Sequence, residues 1–117
     1  MQKKDSNNLA RIQKIAQTAN ESDMDVLLEH CKTAIMKGEL FLVAYMVEYK
    51  YLPLKQKDLL GNTPLHQAVM KDQPQITDYL ARKDSSAILD ENDLDETPLS
   101  LANDKPEIKR IFESYLK

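Results

Sequence analysis

The sequence holds one cysteine, Cys31, so no disulfide can form within the chain, and a reducing compartment is expected rather than secretion. Its two glycines, Gly38 and Gly61, are too few and too far apart for a phosphate-cradling loop. With two histidines, His30 and His66, there is no Cys/His cluster for zinc: Cys31 and His30 are one adjacent pair, and His66 is distant. No Ser/His/Asp arrangement is suggested either. The longest apolar run, "LFLVAYMV" at 40–47, is too short to cross a bilayer. No apolar stretch follows Lys3 and Lys4, so a standard cleaved signal is not expected. The formal net charge of −3 is too small to imply nucleic acid or an anionic membrane as partner, and the basic residues do not gather with aromatics. No segment alternates apolar and polar residues long enough to read as a strand.

What remains is ordinary soluble composition, 42% hydrophobic and 30% charged, in 117 residues that fit one domain. Charge is unevenly spread. Residues 1–20 carry Lys3, Lys4, Arg11 and Lys14 against Asp5. Residues 84–104 carry Asp84, Asp90, Glu91, Asp93, Asp95, Glu96 and Asp104 with no base. Such an acidic end could steer a basic partner, or serve only as a solvated loop.

Helical periodicity dominates. "NNLARIQKIAQTAN" places Leu9, Ile12, Ile15 and Ala16 on one stripe after Ser6, a candidate N-cap. "SDMDVLLEHCKTAIMKG" follows, with Ser22 and Asp25 in a capping-box pattern and Gly38 as a stop. "ELFLVAYMVEYK" (39–50) is apolar on nearly every side and must be covered on both flanks. Thr63 opens a short helix to about Lys71, and "PQITDYLARK" forms the next. A polar loop is expected from Asp84 to Glu96. Thr97 then opens a short helix to about Asn103, and Pro106 starts the last.

The segments repeat. Thr63 and Thr97, Ala34 and Ala68, and Ala68 and Ala102 each stand 34 residues apart. Ile76 and Ile108 stand 32 apart, so the last unit is two residues shorter between its helices. Helical units at this period imply a stacked solenoid. "DLLGNTPLHQAV" (58–69) carries Asp-x-x-Gly-x-Thr-Pro-Leu-His-x-Ala, and "NDLDETPLSLA" (92–102) keeps Thr-Pro-Leu and Ala. On these residues the chain resembles the ankyrin repeat family over about 25–117. The last unit departs at Asn92, Asp95 and Ser100. The first keeps only Ala34, Gly38 and the apolar run.

The resemblance implies an all-α, ankyrin-type helix-turn-helix solenoid with an N-terminal capping helix. Its boundaries are 1–22 for that helix and about 23–57, 58–91 and 92–117 for the repeats. Thr63 should cap its helix, and Pro64 should take the first turn. His66 should bond back to Thr63 and nearby backbone, Leu65 and Ala68 should point inward, and Gly61 should need a positive φ that Asp95 must also adopt. Cys31 aligns with Leu65, so a buried thiol is expected. These roles are structural, and no catalytic residue is expected. "DENDLDETPLSL" lacks the Gly of a calcium loop, and no cofactor or metal is expected.

The resemblance also implies a non-catalytic protein-protein interaction module binding through loop tips and inner helices. Those positions here are Met36 and Lys37; Leu59, Leu60, Asn62, Met70 and Lys71; and Asp93, Leu94 and Glu96. Leu59, Leu60, Leu94, Met36 and Met70 are apolar where solvent is expected, a pattern of interface cores. Alternatively, Leu59 or Leu60 folds back onto a neighbouring loop, and the two methionines pack between inner helices. The expected partner is a protein with a basic patch; the chain alone is expected to be a monomer. Chains of this resemblance include bacterial effectors, their regulators and toxin-neutralising proteins. A cytoplasmic adaptor or inhibitor is therefore the first reading, in the host cytoplasm if it is a secreted effector. A structural or targeting segment of a larger protein is the alternative, and an enzyme with an unrecognised site comes after it.

Overall fold

A computed structural model describes residues 24–49 and 52–116. Within them the order is α1 (Met24–Met36), α2 (Leu40–Tyr49), α3 (Pro64–Met70), α4 (Pro74–Lys83), a 3-10 helix (Ser85–Leu89), α5 (Pro98–Leu101) and α6 (Pro106–Tyr115), with no strand among the described residues. The expected N-terminal capping helix and the Ser22 cap lie outside the described residues.

The helices start where the local chemistry dictates. Thr63 is extended, at φ −88° and ψ 169°, and Pro64 takes the first turn of α3. Thr97 and Pro98 repeat this at α5. Pro74 and Pro106 open the outer helices α4 and α6, where a missing N–H leaves no intrahelical bond unmade.

Among the described residues four have positive φ, and they form two pairs at the repeat distance. Gly38 (φ 72°) and Asp72 (φ 55°) turn the chain between inner and outer helices. Gly61 (φ 79°) and Asp95 (φ 61°) shape the loop tips. Aspartate tolerates the left-handed region better than most side chains, so the motif survives the loss of its glycine.

Stacking follows from the small residues. Ala34 in α1, Ala68 in α3 and Ala102 at the C-terminal cap of α5 have no exposed surface. Their size lets α3 sit between α1 and α5, while α4 sits between α2 and α6. The central helix α3 is buried from Pro64 to Val69, since it has neighbours on both sides. One continuous core results. Cys31, Ile35, Leu42, Val43 and Met46 enter it from the first unit, Leu65, Val69, Ile76 and Leu80 from the second, and Ile108 and Phe112 from the third. The outer layer is tied by tyrosines reaching back one unit: Tyr79 donates to Glu48 at 2.7 Å, and Tyr115 donates to Asp78 at 2.6 Å. Lys83 pairs with the same Glu48 carboxylate.

Two expectations need correction. Residues 84–96 are not simply a polar loop. Asp84 caps the 3-10 helix by accepting from the Ser86 N–H, and Ala87 and Ile88 plug into the core. The inner helix α5 ends at Leu101 rather than near Asn103: it has four residues where α3 has seven, and the connection to the outer helix is one residue longer, which leaves the last unit two residues shorter.

Candidate protein-binding face

The loop tips are built by the same hydrogen bonds twice. In the second unit, Asp58 Oδ1 accepts from the N–H groups of Leu60 and Asn62, both at 2.9 Å. In the third, Asn92 Oδ1 accepts from Leu94 and Glu96, again at 2.9 Å. The backbone closes both tips in one way: Asp58 N–H to Asn62 O and Gly61 N–H to Asp58 O, then Asn92 N–H to Glu96 O and Asp95 N–H to Asn92 O. Asn92 thus replaces Asp58 without loss of the bracket, because both offer one oxygen to two backbone donors.

The outer atoms of each bracket differ. Asp58 Oδ2 accepts from Gln67 at 3.1 Å and meets Lys32 at 3.4 Å. Burial opposes the Asp58 charge, but the Asn62 and Leu60 N–H groups and Lys32 outweigh it, so the carboxyl is held below its ordinary range. Lys32 is a positioning residue that the sequence motif gave no reason to single out. Asn92 Nδ2 instead donates sideways, to Asn62 Oδ1 at 2.8 Å and Glu96 Oε1 at 3.0 Å.

Further bonds lock tip to tip. Asp93 N–H donates to Leu60 O at 3.0 Å. Lys57 Nζ donates to Glu91 O at 2.9 Å. His66 completes the lattice. The Thr63 N–H, which can only donate, points at its Nδ1 at 3.1 Å, so Nδ1 is bare and Nε2–H donates to Glu96 O at 2.8 Å. Burial is the main force pushing the His66 pKa below its ordinary value. With both ring nitrogens engaged, His66 is neither base nor ligand. At α5 the reciprocal cap persists through Ser100, which accepts from Thr97 N–H at 2.9 Å, but Ser100 makes no bond to a further tip.

This frame holds apolar side chains in water. Leu59 is 98% exposed, Leu60 67% and Leu94 77%, so neither leucine of the second tip folds back. Met36 and Met70, at the C-terminal ends of α1 and α3, are also exposed, and Lys37, Lys71 and Asp93 are exposed beside them. Met70 lines an open hollow of about 570 Å³ together with Ser100, Leu101, Asn103, Asp104 and Lys105. Asn62 and Glu96 do not join the solvent-facing row. Asn62 is buried, its carbonyl taken by Asn92, and Glu96 is half-buried with its carboxylate on Asn92 and its carbonyl on His66. Both are parts of the frame.

Cys31, on the inner helix α1, is buried in the core, and desolvation pushes its thiol up to about 12, which keeps it protonated and unreactive at neutral pH. Among the described residues, no group of His, Cys, Asp and Glu is placed to hold a metal ion, and no helix is long and apolar enough to cross a membrane.

Residues 31–81 match the family model for ankyrin repeats (many copies). Over that segment the chain carries ankyrin repeats. The match runs from Cys31 in α1 to Ala81 in α4. The third unit continues the ankyrin pattern beyond it, through Thr97-Pro98-Leu99 and the Asn92 bracket. No curated protein matches the chain. Ankyrin repeats are in general non-catalytic protein-protein interaction modules.

Proposed function

We propose that the chain binds a protein through the row formed by Leu59, Leu60 and Leu94 at the tips, Met36 and Met70 on the inner helices, and Lys37, Lys71 and Asp93 beside them. The carrying observation is that Leu59, Leu60 and Leu94 are exposed on tips that hydrogen bonds prevent from collapsing. Solvent-facing leucines on rigid backbone lose little conformational freedom when covered, which favours tight docking. Their rim is acidic: Glu91, Asp93 and Asp95 are exposed and carry no ion pair among the described residues. A partner with a basic patch fits this rim, which would speed encounter more than it deepens affinity. The module acts by occupancy, as an adaptor or inhibitor, in the cytoplasm, where the lone Cys31 stays reduced.

The test compares the wild-type chain with a Leu59→Asp/Leu60→Asp variant. Both residues are exposed, so circular dichroism should show the variant equally helical. A partner captured by the wild type and identified should lose at least tenfold in affinity for the variant, and its affinity for the wild type should fall with added salt. A folded variant that binds the same partner equally well removes the tips from the interface.

A further inference from the structure

The outer layer follows a rule that leaves its first helix unfinished. Tyr79 on α4 reaches back to Glu48 on α2, and Tyr115 on α6 reaches back to Asp78 on α4. Shifted by the repeat distances, Tyr79 falls on Tyr45, and Tyr115 falls on Lys83 and then on Tyr49. Tyr45 and Tyr49 therefore hold, on α2, the two positions from which later units grip the preceding outer helix. Among the described residues, no outer helix precedes α2. The two rings lean on one another, centroids 5.1 Å apart, and Tyr49 stays 70% exposed. One turn earlier Phe41 is also exposed, where α4 and α6 carry Gln75 and Glu107. Three aromatic side chains thus line one face of α2.

Chain connectivity points to what covers them. The turn at residues 37–39 folds α2 back along α1, with Glu39 N–H bonded to Ala34 O at 2.9 Å. The start of α1 therefore lies beside the end of α2, next to Tyr49. Residues 21–23 can span about 10 Å when extended. The preceding stretch, 7–20, carries Leu9, Ile12, Ile15 and Ala16 as one apolar stripe. As a helix it would be about 21 Å long, enough to run the whole of α2, about 15 Å.

We propose that residues 7–20 dock through Leu9, Ile12 and Ile15 onto the Phe41–Tyr45–Tyr49 face of α2 in the same molecule, taking the place of a preceding outer helix. The occupant is this chain's own segment. It covers the first unit as α4 covers α2, and it leaves the tip row open. A second copy of the chain, or another protein, would be the alternative occupant of the same face.

The experiment uses the full chain with Gln13→Cys carrying a nitroxide. Cys31 is buried with its thiol pushed up to about 12, so the new cysteine takes the label. In the 15N-labelled, spin-labelled protein, the amides of residues 41–49 should lose most of their intensity, and those of α6 should keep theirs. Adding Ile12→Asp should restore the α2 signals while the amide dispersion of the repeats persists. Unaffected α2 amides overturn the proposal. So does broadening that also appears when 15N chains without label are mixed with labelled chains without 15N, because the segment would then cover another copy. Broadening that survives Ile12→Asp overturns it too, since the apolar stripe would not be making the contact. A Tyr45→Ala/Tyr49→Ala variant supplies the reciprocal arm: it should lose the broadening, and retained broadening rejects α2 as the docking face.

Discussion

Asn92→Asp is the sharpest test of the tip lattice, because it changes almost no volume. The residue is buried, and its Oδ1 would still accept from Leu94 and Glu96. The other atom decides the outcome. The amide that donates to Asn62 Oδ1 at 2.8 Å and Glu96 Oε1 at 3.0 Å becomes a carboxylate oxygen facing two acceptors. At 3.0 Å two unit charges repel by about 1.4 kcal/mol in water and about 5.5 kcal/mol at an effective dielectric of 20. Glu96 is half-buried and can swing outward, so the lower value is the better guide. Losing a bond to Asn62 adds about 1 kcal/mol, unless its amide flips to donate. The variant should be destabilised by about 2 kcal/mol at pH 7, which lowers Tm by roughly 10 °C for a domain of this size. The sign of the pH dependence identifies the cause. The crowded pair at 92 and 96 holds a proton to higher pH in the folded state than in the unfolded chain. The folded variant therefore gains protons as pH falls, and its deficit should shrink between pH 7 and 4. Thermal melts of both proteins followed by circular dichroism across that range measure it. Equal stability at pH 7, or a deficit that does not change with pH, would refute the charge argument.

Gly61→Ala should cost about 3 kcal/mol by denaturant titration, since φ is +79° and the new Cβ would lie 2.8 Å from the Asp93 backbone nitrogen, which cannot swing away. At the equivalent place Asp95→Gly should change stability by less than about 0.5 kcal/mol, because relief of the left-handed strain is offset by a more flexible unfolded chain. Ala68→Leu forces a larger side chain between inner helices that leave no exposed surface there, and it should cost about 3 kcal/mol in the same assay. His66 has a pKa depressed by burial, so the folded state binds fewer protons than the unfolded one. Its contribution should be complete above the ordinary histidine value and be lost as pH falls through the depressed one; an NMR titration showing His66 protonated at or above the ordinary value would contradict the assigned hydrogen bonds. Cys31 should resist thiol reagents in the native protein and react once denaturant unfolds it, followed by mass spectrometry.

Much of the fold was legible because the motif states its own geometry. Thr63-Pro64 and Thr97-Pro98 announce helix starts through capping and a fixed φ. Position 61 announces a left-handed backbone, so the same conformation could be assigned to Asp95 from the offset alone. The 3-10 helix at Ser85–Leu89 was not legible: five residues are too few to show a period, and polar neighbours hide the buried Ala87 and Ile88. The exposed leucines of the candidate site were legible as breaks in the expected polarity of a loop. Asn62 was not, and the reason is general to stacked repeats. A 34-residue period shows which positions are equivalent, but it does not show which positions touch. Two of the contacts that join one tip to the next run from Asn62 to Asn92 and from His66 to Glu96, both 30 residues apart. Each joins two positions that are not equivalent, so nothing in the alignment of one unit on the next reveals it. A tip residue with no role inside its own unit can therefore look free to vary and still be the acceptor that the next unit needs. The solvent-facing row is better read as what remains once these cross-unit bonds are removed, which keeps Leu59, Leu60, Leu94, Met36, Met70, Lys37, Lys71 and Asp93 and excludes Asn62 and Glu96.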